Sequence, residues 1–100
     1  MNMTIEKNLN AGELTVAITG RLDTITAPQL ESRLKAGMEG LTSLVLDFAA
    51  LDYLSSAVLR VLLAAQKTMN KQGKMVIRNV NETIMEIFEV TGFSDILTIE

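Results

Sequence analysis

The stretch that decides the fold is Leu44–Leu63, LVLDFAALDYLSSAVLRVLL. It opens on an apolar strand, Leu44-Val45-Leu46, with Phe48 following Asp47. Short apolar runs without alternation suit a central strand covered on both faces. A turn is expected at Leu51–Leu54, and then come two adjacent serines, Ser55 and Ser56. From about Ser56 to Lys71 the spacing predicts a helix, with Val58, Leu62, Ala65 and Met69 on one stripe. Leu59, Val61 and Leu63 widen that stripe until Arg60 is the only charge in the first two turns. Such a helix is either deeply buried or partly shared with a partner. The serines fall where the helix begins, so a hydroxyl is offered beside unpaired N–H groups and a positive dipole end. A phosphate placed there is electrostatically favoured.

Outward from that segment the chain alternates strands and helices. Met3, Ile5 and Lys7 alternate with Thr4 and Glu6, and Leu14, Val16 and Ile18 alternate with Thr15, Ala17 and Thr19. Asn10-Ala11-Gly12-Glu13 between them is turn chemistry, which predicts a β-hairpin. Gly20-Arg21-Leu22-Asp23 reads as a break in the second strand. Thr26 is placed to cap a helix, with Gln29 closing a capping box and Pro28 in the first turn. Leu30, Leu34 and Met38 recur at helical spacing, and Gly37 and Gly40 end the run.

Beyond the central segment, Gly73 is a helix stop and Met75-Val76-Ile77 another apolar strand. Asn81 caps a third helix carrying Ile84, Ile87, Phe88 and Thr91, ended by Gly92. Ile96–Ile99 reads as a short last strand. The predicted order is β-β-α-β-α-β-α-β: an α/β fold over residues 1–100, one domain with a single mixed, mostly parallel sheet packed with helices.

Composition narrows the chemistry. The chain has 100 residues, 48% of them apolar, and neither cysteine nor histidine. Disulfides, thiol catalysis and thiolate zinc sites are excluded, and so is a Ser-His-Asp constellation. Lys67 is too far along the helix to act as base for Ser55 or Ser56, since each turn rises about 5.4 Å. The surroundings of the serines are not G-x-S-x-G, and no phosphate-binding glycine loop is present. Asp23, Asp47 and Asp52 fall at strand ends, where turn carboxylates are ordinarily solvated or capping. These features argue against an enzyme. A net charge of −3 without a basic patch gives no reason to expect nucleic-acid binding. No apolar run approaches the roughly 20 residues that cross a bilayer. Met1–Asn10 has no long hydrophobic core of the signal-peptide kind, so a cytoplasmic protein is expected.

Two readings of the serines compete. In the plainer one a serine is only an N-cap, worth around 1 kcal/mol. In the other, phosphorylation adds about −1.5 to −2 charges at a surface that a partner reads. Both roles fit if Ser55 caps while Ser56 presents its hydroxyl; which serine caps is left open by the residues.

The motifs Gly20-Arg21-Leu22-Asp23, Thr26-Ala27-Pro28, the strand ending in Asp47, Leu51-Asp52-Tyr53-Leu54-Ser55-Ser56 and Thr91-Gly92-Phe93 run through nearly the whole chain. On them the chain resembles the STAS domain, named for sulfate transporters and anti-sigma factor antagonists, and in particular the free-standing bacterial antagonists. The resemblance implies a regulator phosphorylated on Ser56, with Ser55 the second choice. It implies no cofactor. The implied partners are a serine-kinase anti-sigma factor with a histidine-kinase-like ATPase fold, which binds the unphosphorylated form, and a metal-dependent serine phosphatase that resets it. Asp23, Thr24, Thr26, Asp52, Tyr53, Ser55, Leu59 and Arg60 are the expected partner contacts. Ser55, Val58 and Arg60 depart from the family pattern, which often has aspartate, glycine and a small residue at those places. The alternatives are a constitutive interaction module beside a transporter or in a sensory complex, docked through the apolar helix, and a sensor of a small anion or nucleotide.

Overall fold

The structure, a computed structural model, describes residues 3–100; Met1 and Asn2, the first residues of the stretch read as lacking a signal-peptide core, lie outside them. The elements are β1 (Thr4–Asn10), β2 (Glu13–Leu22), α1 (Ala27–Gly37), β3 (Ser43–Asp47), β4 (Leu51–Leu54), α2 (Ser56–Asn70), β5 (Lys74–Arg78) and α3 (Glu82–Thr91), with a 3-10 turn at Phe93–Asp95. The main sheet runs β1-β2-β3-β5, and β4 also pairs with β2. Among the described residues β1 alone is antiparallel to its neighbour, so the sheet is mixed and mostly parallel, as the order of elements implies.

The hairpin turn is Ala11-Gly12, with Asn10 facing Glu13 as the last strand pair. Both turn residues have positive φ, 52° and 88°, the requirement of a two-residue turn that matches strand twist. Leu14, Val16 and Ile18 of β2, Leu44 and Leu46 of β3, and Met75 and Ile77 of β5 share one apolar cluster with Leu30 and Leu34 of α1, Val58, Leu62 and Met69 of α2, and Ile84 and Phe88 of α3. Val45, though buried, stands on the opposite face of the central strand, in register with Thr15 and Val76.

Three local expectations are revised. The Gly20–Asp23 segment does not end β2. Gly20, at φ 100°, lies where the register of pairing shifts, and the strand continues through Leu22. Its earlier residues pair with β3 and its last ones with β4. The expected turn at Leu51–Leu54 is thus strand β4, with Asp52 the extra residue between Leu51, opposite Gly20, and Tyr53, opposite Arg21. Finally, the expected strand at Ile96–Ile99 is reduced to one bridge, Ile77 to Ile99. Gly92 reverses the chain at φ 82° and the 3-10 turn consumes the next residues, so little chain is left to lie beside β5.

Gly73 earns its place differently from the expectation as well. α2 ends at Asn70 with Lys71 as its cap, in an ordinary right-handed conformation. A Cβ at Gly73 would run into the backbone carbonyl of Thr42, which accepts from the Lys74 N–H at 3.1 Å as the chain enters β5. Close backbone approach, rather than helix termination, requires glycine here. Gly73→Ala should therefore cost at least ~2 kcal/mol, because rigid backbone must shift. A urea midpoint equal to that of the parent protein would refute this account.

Candidate functional site

The site is assembled where β2 and β4 end together. Ser55 N–H donates to the Leu22 carbonyl at 2.9 Å, so the residue before α2 is bonded to the last residue of β2. The loop from β2 to α1 and the start of α2 are thereby held side by side.

That loop is braced from within. Thr26, expected as an N-cap, is in right-handed conformation and its side chain makes no bond to the helix. Its hydroxyl turns back, accepting from the Asp23 N–H at 2.8 Å and lying 3.0 Å from the Arg21 carbonyl, to which it donates. The turn ahead of α1 is locked by Asp23, whose Oδ1 accepts from the Ile25 and Thr26 N–H groups at 2.9 and 3.0 Å. A short acidic side chain bonding the backbone two and three residues ahead is the usual way such turns are locked. Thr26 is only 5% exposed, so it offers a partner almost no surface; as an expected contact it is corrected to an internal brace. Thr24 and Ile25 are left exposed at the tip.

Arg21 joins this loop to β4. Its guanidinium lies 4.6 Å from the centre of the Tyr53 ring, and its Nε is 3.7 Å from Asp23 Oδ2. The stack contributes about 0.5–1 kcal/mol at an exposed site and fixes the tyrosine beside the loop. Asp52, displaced by the bulge, is exposed, and Tyr53 is half-buried.

The two serines separate cleanly. Ser55 is the N-cap residue, in extended conformation with φ −93° and ψ 164°, yet its side chain accepts no bond from the helix. Its Oγ is buried with no hydrogen-bond partner. The Ser55 carbonyl instead takes the Val58 N–H at 3.1 Å. Ser56 is the first residue of α2 and is exposed. The apolar stripe of α2 is spent on the domain's own core: Val58 and Leu62 are fully buried and Leu59 is 5% exposed. Leu59 is therefore also removed from the direct contacts, and the reading in which this helix docks through its apolar face loses its surface. Arg60 is exposed on the same helix.

The three strand-end aspartates do not gather. Among the described residues no group of three or more acidic or histidine side chains is placed to hold a metal ion. Asp47 Oδ1 accepts from the Asn79 side chain at 2.9 Å and from the Ala49 N–H at 3.0 Å. Those bonds, Asn79 first, hold its carboxyl below the ordinary carboxylate value, aided by Arg78 and opposed by partial burial. Asp23 is likewise lowered, chiefly by the Thr26 N–H; the Ile25 N–H, the Thr26 hydroxyl and the Arg21 charge act in the same sense, against desolvation. The bonds of Asp23 and Asp47 to nearby backbone N–H groups fit the expectation that strand-end carboxylates are solvated or capping, and Asp-x-x-Thr just ahead of a helix carries the signal for Asp23.

Two outcomes are expected. A carboxyl held low when folded favours folding above its unfolded value and ceases to do so as pH falls through the folded one. Stability should decline from about pH 5 downward, and Asp23→Asn and Asp47→Asn should each flatten that decline. Urea midpoints that fall in parallel for all three proteins would contradict it. Replacing an N-cap serine ordinarily costs about 1 kcal/mol, but the Ser55 hydroxyl makes no bond, so Ser55→Ala should stay within about 0.5 kcal/mol of the parent. A thermal melt showing the full capping loss would disprove the unpaired hydroxyl.

The comparisons agree with this architecture. The STAS domain family model matches residues 2–100. BtrV of Bordetella bronchiseptica is 36% identical over 101 residues, which cover 99% of this chain and 85% of BtrV. The anti-sigma-B factor antagonist of Bacillus subtilis is 29% identical over 100 residues, covering 99% of this chain and 92% of that protein. Among solved structures, SpoIIAA in its unphosphorylated form superimposes with a TM-score of 0.83 at 14% identity, over 97% of this chain and 88% of SpoIIAA. The phosphorylated form of Bacillus SpoIIAA gives 0.75 at 14% identity, over 97% and 91%. Likeness at that identity speaks to fold, and the fold is the same mixed sheet with helices packed on it. With the family model spanning all but the first residue, and a bulged β4 leading straight into a helix whose first residue is an exposed serine, this chain belongs to the STAS domain family.

Proposed function

We propose that this protein is an anti-sigma factor antagonist whose binding state is set by phosphorylation of Ser56. The observation that carries the reading is the contrast within the serine pair: the Ser55 hydroxyl is sealed in the structure, whereas Ser56 stands exposed on the first turn of a helix bonded to the sheet. A serine kinase needs a reachable hydroxyl, and only one of the two is reachable. Relatives that this chain matches over nearly their whole length are named anti-sigma-B factor antagonists, and SpoIIAA is known in both unphosphorylated and phosphorylated forms.

The partner is a serine-kinase anti-sigma factor with a histidine-kinase-like ATPase fold. In the unmodified state it docks on Thr24 and Ile25, Asp52 and Tyr53, and the first turn of α2 with Ser56 and Arg60. Its γ-phosphoryl group passes from ATP to Ser56 Oγ; the hydroxyl proton is lost and ADP departs. The added charge lies at a helix start, so the fold tolerates it. The change falls on the interface, where repulsion or desolvation of a few kcal/mol lowers affinity by about tenfold for each 1.4 kcal/mol. A metal-dependent serine phosphatase restores the hydroxyl. The antagonist performs no chemistry of its own in this cycle.

The test is direct. Incubated with its cognate kinase and ATP, the protein should gain one phosphoryl group by intact-mass spectrometry. Ser55→Ala should be modified as the parent is, and Ser56→Ala not at all. Transfer that persists in Ser56→Ala, or no transfer to the parent protein, would overturn the assignment.

A further inference from the structure

The environment of Ser56 along its own helix contains one charge, and that charge is well placed to meet a phosphate. Side chains three and four residues apart on a helix are neighbours, about 5–6 Å apart at Cβ. For Ser56 these are Leu59, buried in the core, and Arg60, exposed on the same side as the serine. Helical side chains lean toward the N-terminus, so a long one covers the turn before its own Cα. At i+4 the long Arg60 side chain is within reach of the turn that Ser56 begins. Among the described residues the ion pairs are Arg21–Asp23, Lys35–Glu31 and Arg78–Glu100, which leaves Arg60 without a carboxylate. Arg21, the other cation of the site, is already engaged by Asp23 and the Tyr53 ring.

We propose that Arg60 is the receptor for the phosphate of phosphorylated Ser56, closing an arginine–phosphoserine clamp across the first turn of α2. The inference rests on the reading of Ser56 as the modified residue. A guanidinium fork matches phosphate oxygens bidentately, and charge-assisted bonds of this kind are roughly twice as strong as neutral ones. Phosphorylation then changes two features at once. It places an anion at Ser56, and it withdraws Arg60 as a free cation from the surface that the kinase reads. Asp52, exposed at the bulge of β4, is in none of the ion pairs of the described residues. The carboxylate of Asp23 is occupied by the backbone of its own loop.

The test needs no kinase. The full chain is expressed with phosphoserine encoded genetically at position 56, as the parent and as Arg60→Gln and Arg60→Lys. The second ionisation of the phosphate is followed by phosphorus NMR at low ionic strength. A clamp favours the dianion, so Arg60→Gln should raise that pKa by about half a unit, and Arg60→Lys, a point charge without the fork, by less. The difference should shrink in high salt. Far-UV circular dichroism of the unmodified variants checks the helix; if Arg60→Gln does not fold, Arg60→Lys and the salt dependence of the parent protein decide. Equal titrations in all three proteins, or a parent titration insensitive to salt, would overturn the clamp. Failure of kinase transfer would sink the switch itself and would leave this measurement unaffected, so the two outcomes are separable.

Discussion

The structure depends on one backbone event: β2 changes partner partway along its length. Up to Ala17 it is paired with β3; from Gly20 it is paired with β4. The change requires a residue that tolerates φ 100° at the point where register slips, and glycine does so without steric cost. Because β2 continues past the bulge, its last carbonyl, that of Leu22, is present to accept the Ser55 N–H. Had the strand ended at Gly20, the loop leading to α1 and the start of α2 would have no common anchor.

From that anchor the site follows in short steps. Asp23 and Thr26 satisfy the loop's backbone, which keeps it ordered while exposing its tip. Arg21 lies over Tyr53 and carries the order across to β4. β4 is short and bulged, and it feeds α2 at a fixed angle. A rigid base matters for the proposed switch. If the helix start were loose, added charge would be absorbed by rearrangement instead of being presented to a partner.

Polar groups in this small domain are divided between structure and surface by burial. Among the described residues Thr26, Ser43 and Gln66 are the buried polar ones, and Thr26 is fully used by its loop. Ser55 Oγ and Gln66 Oε1 are buried without partners. Unpaired buried groups of this sort are costly and uncommon. Ser55 directly precedes the proposed point of modification, so one of these unpaired groups lies next to it in the chain.

Several features were legible in the residues. α1 and α3 follow from apolar spacing, and Asn81 does cap α3, accepting from the Ile84 N–H at 2.8 Å. The alternation of strands and helices made the sheet mostly parallel. β4 was not legible, because four residues of mixed polarity have no period; only pairing with β2 makes them a strand. That Thr26 braces its loop instead of capping α1 was hidden too, since threonine suits both roles and only the local backbone conformation selects one. The serine pair is the sharpest instance. The sequence placed two hydroxyls at a helix start, since propensity and apolar periodicity act through neighbours along the chain. It could not rank them, since exposure is decided by what packs against each atom from distant strands. Tertiary structure turned Ser55 inward against the end of β2 and left Ser56 facing out.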